Sequence, residues 1–81
     1  MNPNLDKIDE AVLALLYLTS FREGSGEFAA TRAWKGHDWG ALNRLHQKGL
    51  ISDPKRKAKS VLLSEAGEKR SEELFNQLFC H

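Results

Sequence analysis

One apolar pattern near the start of the sequence constrains the fold more than any other feature. Its residues recur at three- and four-residue steps, the spacing of one helix face: Leu5, Ile8, Val12, Leu15, Leu16 and Thr19. Three more apolar residues widen the stripe: Leu13, Tyr17 and Leu18. We therefore predict a central helix that begins at residues 2–4, where Pro3 lies between two cap-type asparagines, and ends before Gly24.

Cap residues and a glycine divide the second half of the chain. Asp38 is a good N-cap for a helix over residues 39–48, which Gly49 would end in a left-handed conformation. Residues 50–52 and 60–63 are short β-type runs that predict a hairpin, and Ser64 can cap a final helix. The expected fold class is mostly α with a small β-hairpin (α+β), in a single domain over residues 1–81.

The stretch from Glu27 to Lys35 is compatible with either a short helix or a strand. Residues 28–30 suit a helix, whereas Thr31 and Trp34 suit a strand equally well. We predict a short helix here. The element order is then helix, short helix, helix, strand, strand, helix.

Two stretches carry a resemblance to known families. Residues 42–51 and 61–67 resemble the helix-Gly-Leu-Ile, wing and Leu-Thr-x-x-Gly signature of bacterial winged-helix regulators. This resemblance implies a winged-helix-like three-helix core with a two-stranded wing, followed by a C-terminal helix that often pairs two subunits. The whole chain also resembles a family of small bacterial proteins of unknown function, through residues 6–18, 32–39 and 57–60. That family implies no activity.

Positive charge is concentrated in the middle of the chain, although the whole chain carries only +1. Residues 22–59 contain nine basic and four acidic residues, and both flanking segments are net negative. The predicted hairpin tip is the most basic part, and we predict that four of its residues contact DNA phosphates: Lys55, Arg56, Lys57 and Lys59. The preceding helix adds side chains suited to base edges or phosphates in a major groove: Asn43, Arg44, Gln47 and Lys48. An ordinary solvated surface is the alternative for both sets.

A second hypothesis is a protein–protein interaction or adaptor module on the same fold, with no nucleic-acid binding. The near-neutral total charge favours it, and so do Arg32 and Lys35, which stand where a helix-turn-helix has a small and an apolar residue. Trp34 and Trp39 could form a platform for a base or a partner, but we expect both to complete the small core. An exposed apolar patch around Trp34 or Phe28 would support the adaptor hypothesis.

The final helix carries four large apolar residues that a small core does not obviously cover. We predict that they form a homodimer interface, with packing on the first helix of the same chain as the alternative: Leu74, Phe75, Leu78 and Phe79.

No pattern in the sequence predicts a catalytic or metal site. The spacing of the histidines and the lone cysteine matches no compact ligand set: His37, His46, Cys80 and His81. We therefore expect no enzyme activity, no cofactor, no metal and no small-molecule substrate. The longest apolar run has eight residues, against about 20 for a membrane span, so we expect a cytoplasmic protein that does not bind membranes.

Overall fold

The computed structural model describes residues 2–80, apart from the side chain of Phe28. Within these residues, three α-helices accompany one three-stranded antiparallel sheet of order β1-β2-β3. The elements are, in chain order, α1 (Leu5–Leu18), β1 (Phe21–Glu23), β2 (Ala30–Trp34), α2 (Trp39–Gln47), β3 (Ser60–Leu62) and α3 (Glu65–Phe79). The prediction of a mixed α+β fold is confirmed.

The helices begin and end where the cap residues predict. Asp38 accepts a hydrogen bond from the Ala41 amide at 3.0 Å, and the Ser64 hydroxyl accepts one from the Gly67 amide at 2.9 Å. Each bond satisfies an amide that the first turn of a helix leaves without an intrahelical partner. Past the end of α2, Gly49 adopts a φ of 76°, in the left-handed region that favours glycine.

The short helix predicted for residues 27–35 is wrong. A 3-10 turn at Gly26–Phe28 leads into strand β2, in which Thr31 and Ala33 are buried while Trp34 is exposed. This two-residue alternation is that of a half-buried strand. Strand β1, which no sequence pattern predicts, pairs with β2 and places Phe21 opposite Arg32. Only two α-helices therefore precede α3 within residues 2–80, and the winged-helix resemblance is not confirmed.

The predicted hairpin is present but asymmetric. Its first arm is reduced to one bridge between Ile51 and Leu63, with a 2.8 Å bond from the Ser52 amide to the Leu62 carbonyl. Its second arm is β3, which pairs mainly with β2, Trp34 lying opposite Ser60. The sheet therefore holds the hairpin chiefly through its second arm.

The core lies between α1, the other two helices and one face of the sheet. Its largest fully buried apolar side chains come from α1, α2 and β3: Leu13, Leu16, Leu42, Leu45 and Val61. Part of the predicted α1 stripe remains exposed, namely Leu5, Ile8, Leu15 and Leu18. No helix within residues 2–80 combines the length and the apolar character needed to cross a membrane.

Candidate nucleic-acid interface

The basic tip forms an exposed loop, which we call the basic loop (residues 55–59). A turn at Asp53 begins it, because the Asp53 carboxylate accepts a 2.9 Å hydrogen bond from the Lys55 amide. All five loop residues are exposed. None of the loop's cations forms an ion pair with any residue of the described part of the chain. The loop therefore presents its four cations to solvent.

Lys35, just after β2, fixes the base of the basic loop. Its ammonium donates hydrogen bonds to the carbonyls of Pro54 at 2.7 Å and Arg56 at 2.6 Å. Its backbone amide donates to the Lys59 carbonyl at 3.2 Å. Pro54 precedes the loop and Lys59 ends it, so these bonds hold both ends of the loop near the C-terminal end of β2. Pro54 itself is fully buried. Sequence reasoning gave Lys35 no role in the loop.

Ion pairs occupy the other cations of the central segment. Arg22 pairs with Glu68, Arg32 with Glu23, Arg44 with Asp9, and Lys48 with both Asp6 and Asp9. Five of the nine basic residues in segment 22–59 remain, and these are Lys35 and the four cations of the basic loop. Unpaired positive charge of this segment is therefore concentrated at a single place.

The strongest ion pair joins α2 to α1. The Arg44 guanidinium donates three hydrogen bonds of 2.8 to 3.0 Å to the carboxylate of Asp9, whose side chain is 1% exposed. These bonds hold the pKa of Asp9 below its usual value against the opposing effect of burial, and Lys48 at 3.5 Å acts in the same direction. The carboxylate also raises the pKa of Arg44. No local pattern indicates this pair, because its members are 35 residues apart.

The predicted base-reading residues on α2 divide into two groups. Arg44 and Lys48 extend their charged groups to Asp9 on α1. Asn43 and Gln47 follow Trp39 at four-residue steps, so the three share the stripe of α2 opposite its buried residues. Nucleic-acid contact at all four positions stays a prediction, and Asn43 and Gln47 are the two not engaged in ion pairs with α1.

Both tryptophans are exposed, and the expectation that they complete the core is wrong. Trp34 is 56% exposed and Trp39 is 54% exposed. The Trp34 ring lies 5.4 Å from the ring of Phe21 on the neighbouring strand, whereas the Trp39 ring lies 5.8 Å from the Lys35 ammonium. Each indole therefore rests against one neighbour and offers much of its surface to solvent. The side chain of Phe28, the other candidate for an exposed patch, is outside the described part of the chain.

The four residues predicted to form a dimer interface lie in different environments. Leu74 is 2% exposed and belongs to the core of a single chain, and Phe75 packs against Tyr17 with ring centroids 5.3 Å apart. Leu78 and Phe79 are each 51% exposed. The homodimer stays a prediction, and these last two residues are the ones free to form it.

If α3 forms the dimer, we expect Leu78→Ser combined with Phe79→Ser to convert it to a monomer, because burial of each side chain is worth about 1.5 to 3 kcal/mol. Sedimentation velocity over a range of concentrations measures the change. A wild-type chain that is monomeric throughout would contradict the dimer prediction.

No group of three or more histidine, cysteine, aspartate or glutamate side chains converges like metal ligands within residues 2–80. His81, one of the four residues considered for such a site, is outside that range.

Comparisons with known proteins agree with one of the two resemblances. The model of a family described as a domain of unknown function, DUF6429, matches residues 4–81. The uncharacterized protein y4hR of Sinorhizobium fredii (strain NBRC 101917 / NGR234) is 54% identical over 74 residues, covering 91% of this chain and 90% of that protein. No solved structure matches the chain. The small bacterial family is thereby confirmed: the chain belongs to the DUF6429 family.

Proposed function

We propose that this protein binds nucleic acid through the phosphate backbone, with the basic loop as the main contact surface. One observation carries the proposal: the unpaired cations of the central segment are the four exposed cations of the basic loop and Lys35 at its base. Clustered cations attract a polyanion and release its condensed counterions on binding, even when the net charge of the protein is small. The loop also follows α2 and precedes β3, the chain position that a wing would have.

Phosphate contact has more support than base reading. In a helix-turn-helix, a preceding helix crosses the DNA backbone and orients the helix that reads the major groove, and here β2 stands in the place of that preceding helix. Arg44, the best guanine reader among the predicted residues, already makes three hydrogen bonds to Asp9. We therefore expect replacement of Asn43 and Gln47 to change affinity little, and by the same factor for different base sequences.

A charge-matched pair of variants tests the proposal. We expect Lys55→Gln with Lys57→Gln to weaken binding to mixed-sequence DNA roughly 10- to 100-fold at about 50 mM salt, because two phosphate contacts are lost. The slope of log affinity against log salt should fall by roughly one to two units. The control is Lys7→Gln with Lys69→Gln, which removes two exposed cations from other parts of the surface. Fluorescence anisotropy with a salt titration measures both quantities.

Two results would contradict the proposal. One is the absence of binding by the wild-type protein at tens of micromolar and about 50 mM salt, conditions that favour phosphate contacts. The other is an equal loss of affinity in the loop variant and the control variant. An equal loss would mean that total charge matters and the position of the loop does not.

A second candidate function is that of a protein-interaction or adaptor module. The exposure of Trp34 and Trp39 favours it, because tryptophan is enriched in the energetically important centres of protein interfaces. We expect Trp34→Ala to abolish binding to a protein partner of this kind, and we expect that binding to be insensitive to salt. Absence of nucleic-acid binding in the experiment above would leave this candidate as the better supported one.

A further inference from the structure

We infer that the preferred ligand of the basic loop is single-stranded nucleic acid, with a base stacked on the Trp34 ring. The inference rests on the proposed function and adds the kind of strand and the aromatic residue that recognises it. It combines three features of the described residues: an exposed indole on the outer face of the sheet, cations at the adjacent end of the loop, and a second exposed indole on the other side of that loop.

Trp34 lies on a supported part of the sheet surface. In β2 the buried residues Thr31 and Ala33 face the core, so Arg32 and Trp34 face outward. Phe21 on β1 lies beside the Trp34 ring at 5.4 Å with an interplanar angle of 37°. The ring is therefore held by a neighbour while 56% of the residue stays accessible. A held and accessible aromatic ring is what base stacking requires.

The cations and the ring are adjacent in the sheet. Trp34 lies opposite Ser60, the residue that follows Lys59 at the end of the basic loop. Residues paired across a sheet have Cβ atoms about 4.5 to 5.5 Å apart. The next residue of the chain, Lys35, donates from its amide to the Lys59 carbonyl. The end of the loop, with Lys59, is therefore one residue from the sheet position beside the Trp34 ring.

The second indole extends this surface past the loop. Consecutive residues of an extended chain point to opposite sides, so Lys35 leaves β2 on the side away from the Trp34 ring. The Lys35 ammonium contacts the loop carbonyls and lies 5.8 Å from the Trp39 ring. The basic loop is therefore flanked by one exposed indole on the sheet side and another on the α2 side.

Stacking on a protein ring selects a single strand. In a duplex the faces of each base are covered by the neighbouring base pairs, whereas in a single strand they are free to stack on aromatic side chains. Phosphate contacts alone do not select a single strand over a duplex, because both carry phosphates. An acidic protein segment would neutralise the loop cations, but it supplies no series of flat rings at the spacing of its charges. The charge and the indoles together fit a single strand best.

The test compares a short oligothymidine with a duplex of equal length by fluorescence anisotropy at about 50 mM salt. We expect the single strand to bind more tightly. Trp34→Leu should weaken single-strand binding roughly 10- to 100-fold and leave duplex binding within about 2-fold, since only the single strand stacks a base on this ring. The matched control is Phe79→Leu, which removes an aromatic ring of similar exposure, 51%, from α3.

A second readout follows the indole directly. In the variant Trp39→Leu, Trp34 is the only tryptophan, and we expect oligothymidine to quench its fluorescence at the concentrations that saturate anisotropy. Unchanged fluorescence at saturation would overturn the inference. Equal affinity of the wild-type protein for the two ligands, or an equal loss for both in Trp34→Leu, would overturn it while phosphate binding by the loop stands. Absence of binding to either ligand would instead contradict the proposed function itself.

Discussion

Asp9→Asn is expected to lower the free energy of unfolding by about 3 kcal/mol at pH 7, because it removes the buried negative charge with which Arg44 and Lys48 pair. The wild-type carboxylate is 1% exposed and accepts three hydrogen bonds from Arg44, while Lys48 adds a fourth contact at 3.5 Å. A domain of this size has a total stability of only about 4 to 12 kcal/mol, so the loss is a large fraction of it. Urea unfolding followed by circular dichroism measures the difference.

The effect should depend on pH in a defined direction. The pKa of Asp9 is lower in the folded chain than in the unfolded chain, because Arg44 stabilises the carboxylate by hydrogen bonds and charge. The unfolded chain therefore binds the proton first, and the contribution of Asp9 is complete above about pH 5 and is lost as the pH falls through the lowered folded-state pKa. We expect the stability difference between wild type and Asp9→Asn to stay constant from pH 7 to about pH 5 and to shrink as the pH falls further.

Asp6→Asn is the control for this prediction. Asp6 also contacts Lys48, at 3.8 Å, but its side chain is 90% exposed. An ion pair in water contributes about 0 to 1 kcal/mol, so the control should change stability little at any pH. Equal effects of the two substitutions, or a stability difference for Asp9→Asn that does not change with pH, would contradict the assignment of Asp9 to a buried pair.

Gly67→Ala is the second substitution expected to have a large effect, a loss of about 3 kcal/mol of unfolding free energy. Gly67 lies in the first turn of α3, and a Cβ atom added there would lie 1.9 Å from the carbonyl oxygen of Leu50. That oxygen also accepts a 3.0 Å hydrogen bond from the Ser64 amide. Neither α3 nor the segment after α2 can move away without breaking the hydrogen bond between the Ser64 amide and the Leu50 carbonyl. The backbone must therefore shift.

The expected loss of stability is opposite in sign to the effect that helix propensity predicts. In an unobstructed helix, alanine is more favourable than glycine by about 1 kcal/mol, so helix propensity alone predicts stabilisation. The control is Gly36→Ala, whose new Cβ would meet nothing within 4 Å and whose φ is not in the left-handed region. We expect that variant to stay within about 0.5 kcal/mol of the wild type in thermal and urea unfolding. A Gly67→Ala variant as stable as the wild type would refute the close approach.

The sequence predicts the helices well because their signals are local. Asp38 and Ser64 cap the helices as expected, and Gly49 has the expected left-handed conformation. The segment containing β1 and β2 is different. Residues 28–30 favour a helix over only a few positions, and three-residue β1 is too short to carry a period of its own. Pairing of β2 with β1 and β3 overrides that weak preference.

The candidate site is predictable only in part, for a related reason. The basic loop follows from composition and turn residues, and the structure places it on the surface. The exposure of Trp34 and Trp39 depends on which elements cover them, which no local pattern reveals. The pairing of Arg44 with Asp9 joins residues on different helices, so sequence spacing does not indicate that Arg44 is already engaged.

The distribution of ion pairs also affects how this nearly neutral molecule approaches a charged surface. Four central cations are matched by carboxylates, whereas those of the basic loop are not. The protein thus carries a local excess of positive charge at the basic loop, although its net charge is only +1. A polyanion's field exerts a torque on such a molecule that turns the loop towards the polyanion. Under the nucleic-acid binding proposed above, this orientation would make productive encounters more frequent without a strong overall attraction. Added salt weakens this orienting effect at long range first, because the Debye length is about 10 Å at 0.1 M.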